Sequence, residues 1–161
     1  MLAIGAKNEA RQVIHYLQAI QEEDGHWPQN CWLDGTAHWN GVQMDECAFP
    51  ILLVDLARRE GVLPEAELHK LWPMVQRAAG FIVRNGPVTG QDRWEEDGGY
   101  SPFTLAVEIA ALLAAADLAD GLAAPEQATY LRETADIWNG LIEQWIYATD
   151  TALAKKLGVE G

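Results

Sequence analysis

The stretch Gln91-Asp92-Arg93-Trp94-Glu95-Glu96-Asp97-Gly98-Gly99-Tyr100-Ser101-Pro102 holds the residues best able to do chemistry in this chain. It places four carboxylates and two large aromatics within ten residues, between Gly90 and Pro102. A carboxyl in a drier spot can stay neutral and donate a proton, while its neighbour stays ionised and bonded to hydroxyls. Flat apolar rings beside such a pair suit a pocket that grips a sugar ring and protonates a glycosidic oxygen. The plainer reading of the same residues is a solvated acidic turn. The rest of the chain favours the pocket.

The elements that must position this loop are helical. Ala10, Val13, Ile14, Leu17 and Ile20 recur at helical spacing between Asn8 and Glu23, and Gly25 supplies a stop. A second helix opens at Gln43 or Asp45 and runs to Arg59; its apolar middle contains Pro50, which should bend it or sit in its first turns. Pro64 starts a third at its first helical position, reaching about Arg84, with a break or kink at Pro73. Pro102 to Asp120 and Pro125 to about Tyr147 complete the set, and no segment alternates as a strand would. The first, third and fifth helices are amphipathic, whereas the second and fourth read as buried on most sides. Long connections (about residues 24 to 44 and 85 to 101) alternate with short ones, so both long loops share one end of the stack. Ordered loops of that length in a helical domain are usually functional. This is the pattern of an all-α, partial α/α toroid of five to six antiparallel helices, with its site on one rim. Helices two and four would leave one apolar flank open, and the tail Lys155 to Gly161 reads as a loop without a cap. A piece of a larger domain, or a protomer that buries its edges against another copy, is expected.

Composition narrows the partners. The chain has 161 residues and a formal net charge of −13, which opposes nucleic acid and anionic membrane alike. The longest apolar run, Ile109 to Ala116, falls short of the roughly 18 residues of a membrane span. The N-terminus lacks the basic-then-apolar order of a signal peptide. Cys31 and Cys47 have no metal spacing and read as buried thiols; with four scattered histidines, neither a metal nor a cofactor is expected. Of seven tryptophans, Trp27, Trp32, Trp39 and Trp94 fall in loops, where stacking on a carbohydrate face is one reason to keep them. Trp72, Trp138 and Trp145 have core spacing, and His15, His26, His38 and His69 show no partner. Glu108, inside an apolar helix, reads as a buried, hydrogen-bonded structural carboxylate or a rim position, ahead of a side chain that points into the barrel axis.

Three motifs, in order and spacing, resemble a known family. They are Trp27-Pro28-Gln29-Asn30-Cys31-Trp32-Leu33-Asp34-Gly35-Thr36, Trp39-Asn40-Gly41-Val42-Gln43-Met44-Asp45-Glu46, and Arg93-Trp94-Glu95-Glu96 through Gly99-Tyr100-Ser101-Pro102. Together they look like bacterial glucoamylases of glycoside hydrolase family 15, which also holds glucodextranases. The resemblance covers essentially the whole chain and implies part of an (α/α)6 barrel of twelve helices, with residues 1–161 a fragment of that single catalytic domain. It implies inverting, exo-acting hydrolysis of α-glucosidic bonds in an α-glucan, releasing β-glucose. On that pattern Glu95 is the general acid and Glu96 holds substrate hydroxyls. Trp94 and Asp92 flank the acid, and Trp39 packs on the sugar near the scissile bond. Asp34 and Asp45 match less firmly, since helix capping explains Asp45 equally well.

Inversion needs an acid and a base about 6.5–9.5 Å apart with water between them, which adjacent glutamates cannot supply. The family's base comes from a later loop and its arginine–aspartate clamp from an earlier one, while Arg58-Arg59 has the wrong context. The chain alone is therefore expected to have little or no activity. Glucodextranase or trehalase specificity fits the same motifs, and a non-catalytic carbohydrate-binding or assembly module is the alternative from another class.

Overall fold

A computed structural model of the protein describes residues 2–39, 41–147, 149 and 151–158, apart from the side chain of residue 153. Among these, a 3-10 turn (Leu2–Ile4) precedes α1 (Lys7–Ile20), α2 (Met44–Arg59), α3 (Glu65–Asn85), α4 (Pro102–Gly121), α5 (Pro125–Ile146) and the short α6 (Ala152–Leu157).

Helices α2 and α4 pack side by side, with α1, α3 and α5 behind them. Helix α4 buries Leu105, Ile109, Leu112, Leu118 and a run of alanines, so most of its circumference lies against α2, α3 and α5. By length and composition alone α4 could cross a bilayer. Its place between three other helices accounts for that composition. The helix also carries Glu108, Asp117 and Asp120, so its longest uninterrupted apolar run remains Ile109–Ala116. The outer helices bury one stripe each and tie to one another by polar side chains. Arg11 and Glu67 pair at 2.7 Å, Gln18 Nε2 donates to the Lys70 carbonyl at 2.7 Å, and Gln76 Nε2 donates to Gln127 Oε1 at 2.9 Å. The result is the expected two-layer arc, part of an α/α toroid. Its long connections, 21–43 and 86–101, meet at one end, where the Met44 amide donates to Thr89 Oγ1 at 3.2 Å.

Several local expectations are corrected. Helix α1 ends at Ile20, before Gly25. Pro64 precedes the first residue of α3, which then runs unbroken through Pro73 to Asn85. One proline deletes a single backbone hydrogen bond, and the buried stripe of Leu71, Met74 and Val75 holds the helix across it. A small antiparallel hairpin joins β1 (Asn30–Cys31) to β2 (Ala37–Trp39), strands too short for any alternation to register. The tail forms α6, capped by the Thr151 hydroxyl and closed by Gly158 at φ 67°, a left-handed stop that glycine adopts freely. Residues 159–161 lie outside the described set. Two of the histidines do have partners: His15 Nε2 lies 2.6 Å from Glu67 Oε1, and His26 Nδ1 lies 2.5 Å from Asp24 Oδ1.

Candidate active site

The acid loop is a closed ring on the rim. Its two ends meet where Thr89 and Gly99 exchange backbone hydrogen bonds at 3.0 and 2.9 Å. Buried Thr89 also donates its hydroxyl to the Gln91 carbonyl at 2.6 Å while accepting from Met44, so it staples the ring to the start of α2. Inside the ring Asp92 builds the turn. Its Oδ1 accepts from the backbone amides of Trp94 (3.0 Å) and Glu96 (3.1 Å), and its carbonyl accepts from the Glu95 amide at 2.9 Å. Acids hold such turns because a short carboxylate reaches amides two and four residues on. Glu95 sits at the apex with φ 62°, a left-handed backbone rare for a residue with a Cβ, and its side chain is exposed. Glu96 is exposed beside it.

Aromatic side chains brace this ring. The Arg93 guanidinium lies 4.9 Å from the Trp94 ring centroid and 4.4 Å from that of Phe103, in the first turn of α4. Phe103 in turn meets Phe49 of α2 at 6.2 Å. At the loop's end, Tyr100 stacks on Trp145 of α5, with centroids 5.2 Å apart and planes 15° apart. Trp94 keeps 70% of its surface exposed, so a large flat face stands free next to Glu95.

The first long loop reaches the ring at its end, where a Cβ on Gly90 would stand 3.3 Å from the Val42 carbonyl oxygen. Trp32 and Trp39 are both more than half exposed on the hairpin, as a stacking surface requires. Trp27 is not part of it. Its ring is buried and its Nε1–H donates to the Leu17 carbonyl at 2.8 Å, so it is a core residue. Asp34 accepts from the Thr36 amide at 2.9 Å at the hairpin tip, which holds its carboxyl below the usual range. Capping does not explain Asp45: Gln43 occupies the cap position, and Asp45 lies buried in the first turn of α2, with Thr104 Oγ1 donating to it at 3.4 Å.

Glu46 is the last residue of the second motif. It is half-buried at the end of a groove of about 710 Å³ between α1 and α2, lined by Leu17, Ile20, Phe49, Leu52, Leu53 and Leu56 among others. Burial, then the charges of Asp45 and Glu95, push its carboxyl up to about 7. That coupling places Glu46 and Glu95 on the same rim. In sequence, adjacent Asp45 and Glu46 look like acids that simply favour the start of a helix, which hides the difference. Arg93 was likewise missed, because its partners are rings distributed over two elements. Among the described residues no group of three or more metal-binding side chains comes together, and both cysteines are free.

A helical arc with a carboxylate-bearing, tryptophan-flanked loop on one rim is the build of an (α/α)6 barrel segment. The family model for glycosyl hydrolases family 15 matches residues 12–154. A glucoamylase from Clostridium sp. (strain G0005) is 39% identical over 146 residues, which is 91% of this chain and 20% of that protein. The crystal structure of a bacterial glucoamylase complexed with acarbose superimposes with a TM-score of 0.75 at 39% identity, covering 84% of this chain and 19% of that one. This chain belongs to glycosyl hydrolases family 15, and it spans about one fifth of the length of these relatives.

Proposed function

We propose that the chain is the acid-bearing segment of a glucoamylase-type hydrolase, which cleaves α-glucosidic bonds from the non-reducing end of an α-glucan with inversion. The single observation that carries this is the placement of Glu95 at the apex of a braced ring, beside the free face of Trp94. Family membership gives the reaction class, and the relative bound to acarbose, a sugar mimic, supports an oligosaccharide as ligand. Glu95 donates its proton to the leaving glycosidic oxygen. Trp94 and Trp39 stack on sugar faces, and Glu96 accepts from substrate hydroxyls. Asp92 acts by holding the turn, and Asp34 by holding the hairpin that presents Trp39. A second carboxylate must act as base across the sugar, at the separation that inversion needs. In this reading it comes from another part of the whole barrel, of which residues 1–161 are the central part.

The test uses the intact protein. Maltose, isomaltose and trehalose are each incubated with wild type and Glu95→Gln, and the anomer released is followed by polarimetry or proton NMR. β-Glucose from maltose, with at least a 10²-fold loss of turnover in the variant and substrate binding retained, is the expected outcome. Unchanged turnover in Glu95→Gln removes the acid assignment, and α-glucose as first product removes inversion.

A further inference from the structure

Glu108 is wholly buried in α4, and neither of its carboxyl oxygens has a hydrogen-bond partner among the described residues. It does not lie idle in the core, because the acid loop begins on top of it. A Cβ at Gly86 would stand 2.5 Å from Glu108 Oε1, 2.8 Å from the Ile82 carbonyl oxygen and 2.8 Å from the Trp138 ring. Only a residue without a side chain can occupy that seat, and the carboxyl forms one of its walls. The ionisable groups that face Glu108 come from α2: Asp45, whose charge acts on it, and the Cys47 thiol, on which Glu108 acts in turn. Helix α3 presents the Ile82 carbonyl and α5 the Trp138 indole. No cation stands among these neighbours.

We infer that Glu108 is a positioning residue for Glu95: its buried carboxyl is the stop against which Gly86, the first residue of the connection that carries the acid loop, is seated. The inference rests on the proposed acid role of Glu95. Only Pro87 and Val88 separate Gly86 from Thr89, which is fixed to Met44 and bridged to Gly99. A shift at Gly86 therefore has little slack to absorb it before it reaches the base of the ring and the Asp92 turn. Burial, helped by Asp45, keeps the proton on Glu108 up to about 8. Above that value a negative charge appears in a closed site, facing Asp45 and a carbonyl oxygen, and the seat opens.

The test reads the loop directly and needs no turnover. The amide resonances of Gly86, Gly90, Gly98 and Gly99 are followed in labelled protein through a pH titration. In wild type they should move together with a midpoint near 8. In Glu108→Gln, which copies the shape of the neutral acid, they should stay at the wild-type low-pH positions throughout. Persistence of the titration in Glu108→Gln, or its absence in wild type, overturns the inference. Should that variant fail to fold, isotope-edited infrared spectroscopy of Glu46→Gln, which removes the other raised carboxyl, decides: a protonated glutamate carboxyl band at neutral pH supports the seat, and its absence overturns it. Failure of the hydrolase reading would leave the amide titration untouched, so the two ideas fail separately.

Discussion

Glu95 carries its carboxyl on a backbone that most side chains avoid. Its φ of 62° costs a residue with a Cβ on the order of 1 kcal/mol, which glycine escapes. Glu95→Gly should accordingly be more stable than Glu95→Ala by about 1 kcal/mol in urea denaturation while both lack hydrolysis in the intact protein. Asp92→Ala leaves the Trp94 and Glu96 amides without their acceptor. It should cost about 1 kcal/mol and make Trp94 more accessible to a soluble quencher. Glu46 sets a pH dependence. Its folded value lies above its ordinary 4.5, so its contribution to stability is full below about 4.5 and is lost as pH rises through about 7. The Tm of Glu46→Gln should fall less than that of wild type across that interval. At this scale the sequence displayed the loop but not its division of labour. Asp92, Glu95 and Glu96 are all acids in one short run. Which of them holds the turn and which stands at its apex depends on amide directions that residue types do not encode. Trp27 misled for the same reason: it lies between helices in sequence, yet its ring turns inward to the Leu17 carbonyl.

The helices were the most legible elements, because an apolar stripe repeated over three or more turns fixes both type and face. Their ends and interruptions were less so. Pro73 has no amide to donate to the His69 carbonyl, yet α3 continues past it on the strength of its buried stripe. Pro73→Ala restores that donor and should raise stability by up to about 3 kcal/mol, read as a shift in the urea midpoint with an unchanged slope. A lower midpoint would show that the proline ring itself packs usefully. The hairpin of β1 and β2 and the short α6 escaped notice because two to six residues are too few to show a period. Alternation of long and short connections survived these errors. It depends only on the number and direction of the helices, and it brought both long loops to one end.

Seen whole, the molecule combines an apolar open flank with a strongly acidic surface. Phe49 and Leu56, each at least 40% exposed, edge the groove between α1 and α2, an extent of apolar surface that partners usually cover. We expect the isolated chain to self-associate at micromolar concentration through this flank, and Leu56→Glu to weaken the association; sedimentation velocity showing a wild-type monomer would refute it. With a net charge of −13, self-repulsion opposes the compact state, so added salt should raise Tm by screening it. A Tm that stays flat or falls with salt would contradict this. The stack of Tyr100 on Trp145 has a further use. Two chromophores this close, with nearly parallel planes, couple their electronic transitions, so the pair should give a near-ultraviolet circular dichroism couplet that neither ring gives alone. Since Tyr100 closes the acid loop and Trp145 belongs to α5, that couplet is a label-free optical gauge of whether the loop is docked.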